Sequence, residues 1–284
     1  METKSIFMHL DKFDIDSIAI GTFDGIHKGH KELLKKLTKK GALLVIQMNK
    51  KCLTPSIKRS QYSKFQCFYY DFELIKNMGG DEFIDALCND FVNLKTIVVG
   101  CDFRFGKNRV CDIVDLKNFF SGKTIVVDEF KIDGIGVHSS NIKKFLKDGK
   151  IYEANKFLGR EYCIEGNVVK GQGIGKKEIY PTLNLYIKDY ILPKDGVYAS
   201  RVKINKKYYD CVTFIGNRVS SDNNFAVETH IIDKNINEKV DFVELYFVDY
   251  IRDNAKFSSF CELKKQISID IQKAKIMLEN SKQY

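Results

Sequence analysis

Residues 21–30 read GTFDGIHKGH, with glycines at 21, 25 and 29 and histidines at 27 and 30. In front of this string lies Ser17–Phe23 (SIAIGTF), a short apolar run with the composition of a buried strand. Behind it, His30, Leu33, Leu34 and Leu37 recur at i, i+3, i+4 and i+7, the spacing of one face of an amphipathic helix. A strand that passes through a glycine-rich turn straight into a helix is the opening of a βαβ unit. Glycine lets the backbone of such a turn approach a ligand closely. The first turn of the helix offers unpaired N–H groups and partial positive charge to an anion, and the two histidines add ring N–H donors there. The bland alternative is a glycine-rich turn with two surface histidines, and the strand–turn–helix setting weighs against it. A zinc site is disfavoured, because two histidines three apart lack further partners in a recognisable arrangement.

Outward from this string, Ala42–Met48, Thr96–Gly100 and Lys123–Val127 repeat the strand pattern, with helical stretches between them. Such alternation predicts a Rossmann-like α/β domain, a parallel sheet covered on both faces that binds ligands at the carboxyl ends of its strands. A helical region follows over residues 140–158, with Ile142, Phe145, Leu146, Ala154 and Phe157 as its apolar face. Beyond Gly159 the pattern changes. Tyr162–Val169, Leu183–Ile187, Val197–Ile204, Tyr208–Ile215, Phe225–Ile232 and Val240–Val248 are short strands parted by turn-rich segments, which predicts an antiparallel barrel or sandwich. A last helix opens on Ser259-x-x-Glu262, a capping box, and carries Leu263, Ile267, Ile271, Ala274 and Leu278 at helical spacing. The change of pattern predicts two domains, residues 1–159 and 160–284.

The bulk properties agree. The 284 residues are 44% hydrophobic and 29% charged, enough for two folded cores. No apolar run approaches the roughly 20 residues of a membrane span, and the first residues carry no cleavable signal pattern. A cytoplasmic location without membrane attachment is the expectation. The eight cysteines form no CxxC pair and read as buried reduced thiols. The net charge of +9 comes from lysines spread along the chain and interleaved with acids, which points to anionic nucleotides rather than nucleic acid as partners.

Taken together, the motifs resemble those of bacterial bifunctional riboflavin kinase/FAD synthetases, whose N-terminal domain is similar to the HxGH nucleotidyltransferases. GTFDGIHKGH resembles that family's GxFDGxHxGH signature. The resemblance assigns Gly21, Phe23, Asp24, His27 and His30 to ATP, with His27 and His30 catalytic. Residues 99–106 (VGCDFRFG) are similar to a family segment that puts Asp102 and Phe103 against nucleotide and flavin. Residues 138–143 (HSSNIK) resemble the segment that closes on the ATP phosphates, through Ser139, Ser140 and Lys143. Ser139 or Ser140 also reads as a helix N-cap, and both roles use the same helix end. Three departures stand out. A Pro-His pair usual after the second strand is replaced by residues 47–51 (QMNKK), His138 replaces a Ser, and Lys143 stands where Arg is usual, without its bidentate fork.

In the second half the resemblance is to a six-stranded riboflavin kinase barrel with a terminal helix. Residues 159–162 (GREY) match its entrance, and Gly171, Gly173 and Gly175 lie in a glycine-rich stretch that would fold over ATP. Residues 181–184 (PTLN) correspond to the family's PTAN motif, so that Thr182 and Asn184 offer neutral oxygens to Mg²⁺ and the nucleotide. Glu228, within residues 225–231 (FAVETHI), matches the catalytic glutamate. A carboxylate is what this chemistry needs, because a neutral ribityl hydroxyl must lose a proton as it attacks phosphorus. Residues 192–198 (LPKDGVY) and 215–218 (IGNR) match segments around the flavin. The implied activity makes FMN from riboflavin and FAD from FMN, with ATP as co-substrate. A second reading keeps the kinase and makes the N-terminal domain a nucleotide- or flavin-binding module without turnover. A pantetheine-phosphate or glycerol-phosphate nucleotidyltransferase would leave PTLN and Glu228 unexplained.

Overall fold

The computed structural model describes residues 11–55, 57–170, 180–218, 223–234, 236 and 239–281. The chain divides into two compact units, 1–139 and 140–284.

In the first unit, strands β1 (Ser17–Gly21), β2 (Gly41–Gln47), β3 (Gln66–Asp71), β4 (Thr96–Gly100) and β5 (Lys123–Val127) form a parallel sheet in the order β3-β2-β1-β4-β5. Helices α1 (Lys28–Leu34), α2 (Lys58–Ser63), α3 (Phe72–Ile75), α4 (Gly80–Asp90) and α5 (Ile113–Phe119) connect the strands. Alternate side chains of the central strands enter different cores, as a sheet covered on both faces requires. Ile18, Ile20, Leu44, Ile97 and Val99 pack with Phe83, Ile84 and Leu87 of α4 and Leu116 of α5. Ala19, Leu43, Val45 and Val98 pack with Leu34 of α1 and with Phe23 and Ile26 of the turn before it. A two-stranded hairpin, β6 (Lys131–Ile132) and β7 (Ile135–Gly136), closes the unit.

Three details depart from the sequence reading. Strand β1 ends at Gly21 rather than Phe23, because Phe23 takes φ 46° and turns the chain. Helix α1 stops at Leu34, where tighter bonds take over (Lys36 N–H to Leu33 O, 3.0 Å; Leu37 N–H to Leu34 O, 3.1 Å), yet Leu37 still packs on the core. The helical region after residue 139 is two helices, α6 (Ser139–Lys147) and α7 (Ile151–Leu158), parted at Gly149 with φ 74°.

In the second unit, β8 (Tyr162–Val169), β9 (Leu183–Tyr186), β10 (Gly196–Ile204), β11 (Lys207–Asn217), β12 (Phe225–Ile231) and β13 (Phe242–Arg252) close into an antiparallel barrel ordered β10-β11-β12-β9-β8-β13. All six predicted strands are present, and closure makes the fold a barrel rather than a sandwich. Helix α8 (Phe260–Asn280) lies on the outer surface, where Ile271, Ala274 and Leu278 cover Val197, Ala199, Val212 and Val248. The Ser259 hydroxyl accepts the Glu262 N–H (3.2 Å). The Glu262 carboxylate reaches one residue further back than a capping box requires, to the N–H (3.1 Å) and hydroxyl (2.7 Å) of Ser258. Cys101 and Cys261 are exposed and do not meet the expectation of buried thiols.

Candidate active sites

The sheet reverses its direction of winding between β1 and β4: the chain moves from β1 out to β3, then returns to β4 on the other side of β1. Ligands of open α/β sheets bind in the crevice at such a switch point, outside the carboxyl ends of the strands. The loop after β1 carries Phe23, Asp24, His27 and His30, and the loop after β4 carries Asp102 and Phe103. The fold therefore brings both predicted segments to the ends of adjacent strands.

The first loop is held rigidly. Phe23 (φ 46°), Gly25 (φ 98°) and Ile26 (φ 39°) all adopt left-handed backbone, and the two bulky residues are fully buried. Backbone held in that region by non-glycine residues costs energy and clusters at functional sites. The Asp24 carboxylate, 5% exposed, accepts the N–H groups of Leu53 (2.6 Å) and Thr54 (3.3 Å), and the Thr54 hydroxyl accepts the Gly25 N–H (2.7 Å). His27 is the N-cap of α1: its Nδ1 accepts the His30 N–H (3.2 Å), which leaves Nε2 to carry the proton of the neutral ring. The His27 and His30 rings stack with centroids 3.5 Å apart, and the Phe23 ring lies 5.1 Å from His30. Gly29 is required by packing, since a Cβ there would lie 2.9 Å from the Val137 carbonyl oxygen and 3.2 Å from His27 Nδ1. The segment leading to Ser139 thus runs against the first turn of α1.

Asp102 is exposed, and Phe103 stacks on the buried Phe105 (5.4 Å, 16°). Ser139 and Ser140 open α6, whose Ile142 and Leu146 are buried, and Ser140 and Lys143 fall in the second compact unit. His138 Nε2 bonds Glu129 (2.7 Å), and this bond, with Lys131 beside it, holds the Glu129 carboxyl below its usual range. Residues 47–51, which replace the Pro-His pair, end β2 as an exposed run.

In the barrel, Glu228 of β12 pairs in register with Asn184 of β9. The structure adds a role for the last residue of the 215–218 segment, which the sequence reading placed around the flavin without a contact to Glu228. Arg218, just past the end of β11, donates Nε to Glu228 Oε1 (2.8 Å) and Nη2 to Asn184 Oδ1 (3.0 Å). Nothing in the sequence pairs residue 218 with 228; the β11–β12 register, Asn217 opposite Phe225, does so. His230 Nδ1 donates to the Pro181 carbonyl (2.9 Å) and its ring lies 4.9 Å from Tyr180, whose hydroxyl bonds Ser268 of α8 (3.0 Å). These contacts fix the entry to β9, where Thr182 is exposed two residues before Asn184. Gly171, Gly173 and Gly175 lie outside the described residues. Among the described residues no group of three or more His, Cys, Asp or Glu side chains could hold a metal, and no helix is long and apolar enough to cross a membrane.

The candidate residues thus fall in two groups, paired histidines at the switch point of a doubly wound sheet and a carboxylate and an amide bridged by Arg218 in a closed barrel. Family models agree with that division: FAD synthetase matches residues 12–53 and 55–141, and riboflavin kinase matches 158–278. The bifunctional riboflavin kinase/FMN adenylyltransferase of Buchnera aphidicola subsp. Schizaphis graminum is 32% identical over 93% of this chain and 95% of its own length. That of Mycoplasma pneumoniae is 30% identical over 91% and 96%. Among solved structures, the crystal structure of macrolide-efflux protein from Streptococcus pneumoniae superposes with a TM-score of 0.82 at 29% identity, covering 93% of this chain and 97% of that one. The chain belongs to the bifunctional riboflavin kinase/FMN adenylyltransferase family.

Proposed function

We propose that residues 160–284 phosphorylate riboflavin at Glu228, and that residues 1–159 adenylylate the resulting FMN at His27 and His30. The chain is a transferase with both activities, riboflavin to FMN and FMN to FAD, each drawing on ATP. The match to both family models favours two active modules over a degenerate first domain. The start of the riboflavin kinase match at residue 158 supports the boundary near 159.

In the kinase half, the Glu228 carboxylate accepts the proton of the ribityl hydroxyl, whose oxygen attacks the γ-phosphorus of ATP as ADP leaves. The observation that carries this assignment is the register pairing of Glu228 with Asn184, two residues from Thr182. Two neutral oxygens beside a carboxylate suit Mg²⁺ that arrives with a nucleotide, because phosphates and water complete its shell. Thr182 and Asn184 would hold the ion, which neutralises phosphate charge when bound.

In the adenylyltransferase half, an FMN phosphate oxygen attacks the α-phosphorus of ATP and pyrophosphate leaves. The nucleophile is already anionic, so donors aimed at the developing charge matter more than a base. His27 and His30 supply ring N–H groups, while Gly21, Phe23 and Asp24 shape the loop around ATP. Ser139, at the end of the same unit, contributes to binding its phosphates, and Asp102 and Phe103 meet nucleotide and flavin. A cytoplasmic location fits ATP as co-substrate and eight free thiols.

The test is chromatography of flavins after incubation with Mg-ATP. Glu228→Ala lowers FMN formation from riboflavin by about 10²-fold or more and leaves FMN-to-FAD conversion in place. Loss of both activities in a folded variant would sink the assignment of separate sites.

A further inference from the structure

We infer that Arg218 is a positioning residue of the kinase site, whose bond to Asn184 competes with binding of the metal–nucleotide complex. This rests on the assignment of Glu228 as the base and Asn184 as a metal ligand.

The guanidinium bridges those two side chains, with Nε on Glu228 Oε1 (2.8 Å) and Nη2 on Asn184 Oδ1 (3.0 Å). An ion pair that only fastened the end of β11 to β12 would have no need of the amide oxygen on the neighbouring strand. The Arg218 and Glu228 side chains are 20% and 24% exposed, so the pair is sheltered from most screening by water. The backbone holds Arg218 at the base of the β11–β12 hairpin, where its N–H donates to Asn224 O (3.0 Å) and its carbonyl accepts the Asn223 N–H (3.2 Å).

The oxygen that Arg218 covers is the one Mg²⁺ would use. A Mg–O bond is about 2.1 Å long and the present N···O distance is 3.0 Å. A guanidinium nitrogen and a divalent ion sharing this oxygen could therefore be no more than about 5 Å apart. Repulsion between them sets metal binding against the Nη2–Asn184 bond. When Nη2 gives up Asn184, Nε can stay on Glu228 and keep its carboxylate aimed. One side chain thus opposes metal at Asn184 and orients the base at Glu228.

The two duties predict opposite changes in one variant. The apparent affinity of a site that must first leave a closed state is reduced by the fraction of molecules that are open. Titration calorimetry with ADP and MgCl₂ should find Arg218→Gln binding about fivefold or more tightly than the wild type. Its kcat for riboflavin phosphorylation should fall about tenfold or more, with the KM for riboflavin little changed. Arg218→Lys, which keeps the charge but cannot bridge both acceptors, should lie between the two in both measurements. If Arg218→Gln fails to fold, as judged by its melting temperature, the Lys variant carries the test. Binding of Mg-ADP that is unchanged or weaker in a folded variant overturns the inference. Asn184→Ala separates the layers: if it leaves Mg-ADP binding unaltered, the metal-ligand assignment fails and the inference with it. Weakened binding there, without tightening in Arg218→Gln, removes the role of Arg218 alone.

Discussion

At the scale of single residues, Asp24 shows how a motif position can serve structure and site together. Its carboxylate sits inside the loop that bears His27 and His30 and takes two backbone N–H groups of the 53–54 turn. Removing an acceptor from buried donors costs about 1–3 kcal/mol. Asp24→Ala should therefore lower stability by that amount in urea unfolding, while Asp24→Asn, which keeps one acceptor oxygen, should lose less. The string GTFDGIHKGH shows from sequence alone that the turn is special, because glycines and histidines sit at fixed places in it. That the aspartate also clamps residues 53–54, 29 positions away, depends on the fold. Arg218 was hidden for the same reason: its partners are 10 and 34 residues distant, and a strand register joins them.

Among the elements, α8 depends on a buried charged contact as well as on its apolar stripe. Asp270, 1% exposed, receives Arg252 Nε (3.0 Å) and Nη2 (2.7 Å) and Gln266 Nε2 (2.9 Å). Breaking a buried pair by removing one partner leaves an uncompensated charge and costs about 3–5 kcal/mol. Asp270→Ala should lower the denaturant midpoint of the barrel unit accordingly. Periodicity revealed the helix but not this contact, since an aspartate in a helix is usually solvated. It also revealed β4 and β5 to the residue, where apolar runs are unbroken. It did not reveal β3, because Gln66–Asp71 lies at the sheet edge and is only partly covered, without the continuous apolar run of a central strand. The 140–158 region read as one helical stretch, since its apolar spacing carries across the Gly149 break.

For the whole molecule, each compact unit has its own core, and the two proposed sites share no residue. FMN can then pass between copies through solution. A mixture of Glu228→Ala and His30→Ala proteins should form FAD from riboflavin, with a lag that lengthens on dilution, although neither variant does so efficiently alone. Following FMN and FAD against time by chromatography checks it. The order of motifs along the chain made this two-part architecture readable from sequence. Periodicity alone left barrel and sandwich open, because closure depends on β8 finding both β9 and β13, and it was the family resemblance that gave the barrel.

The two sheets also differ in what they offer to an intruding chain. Every barrel strand has a neighbour on each side, whereas β3 and β5 each pair along one margin only. An edge with unpaired N–H and C=O groups is a template for further pairing. Fibril growth or exchange of segments between copies would thus have its foothold at Gln66–Asp71 or Lys123–Val127, leaving the flavin-phosphorylating half topologically sealed.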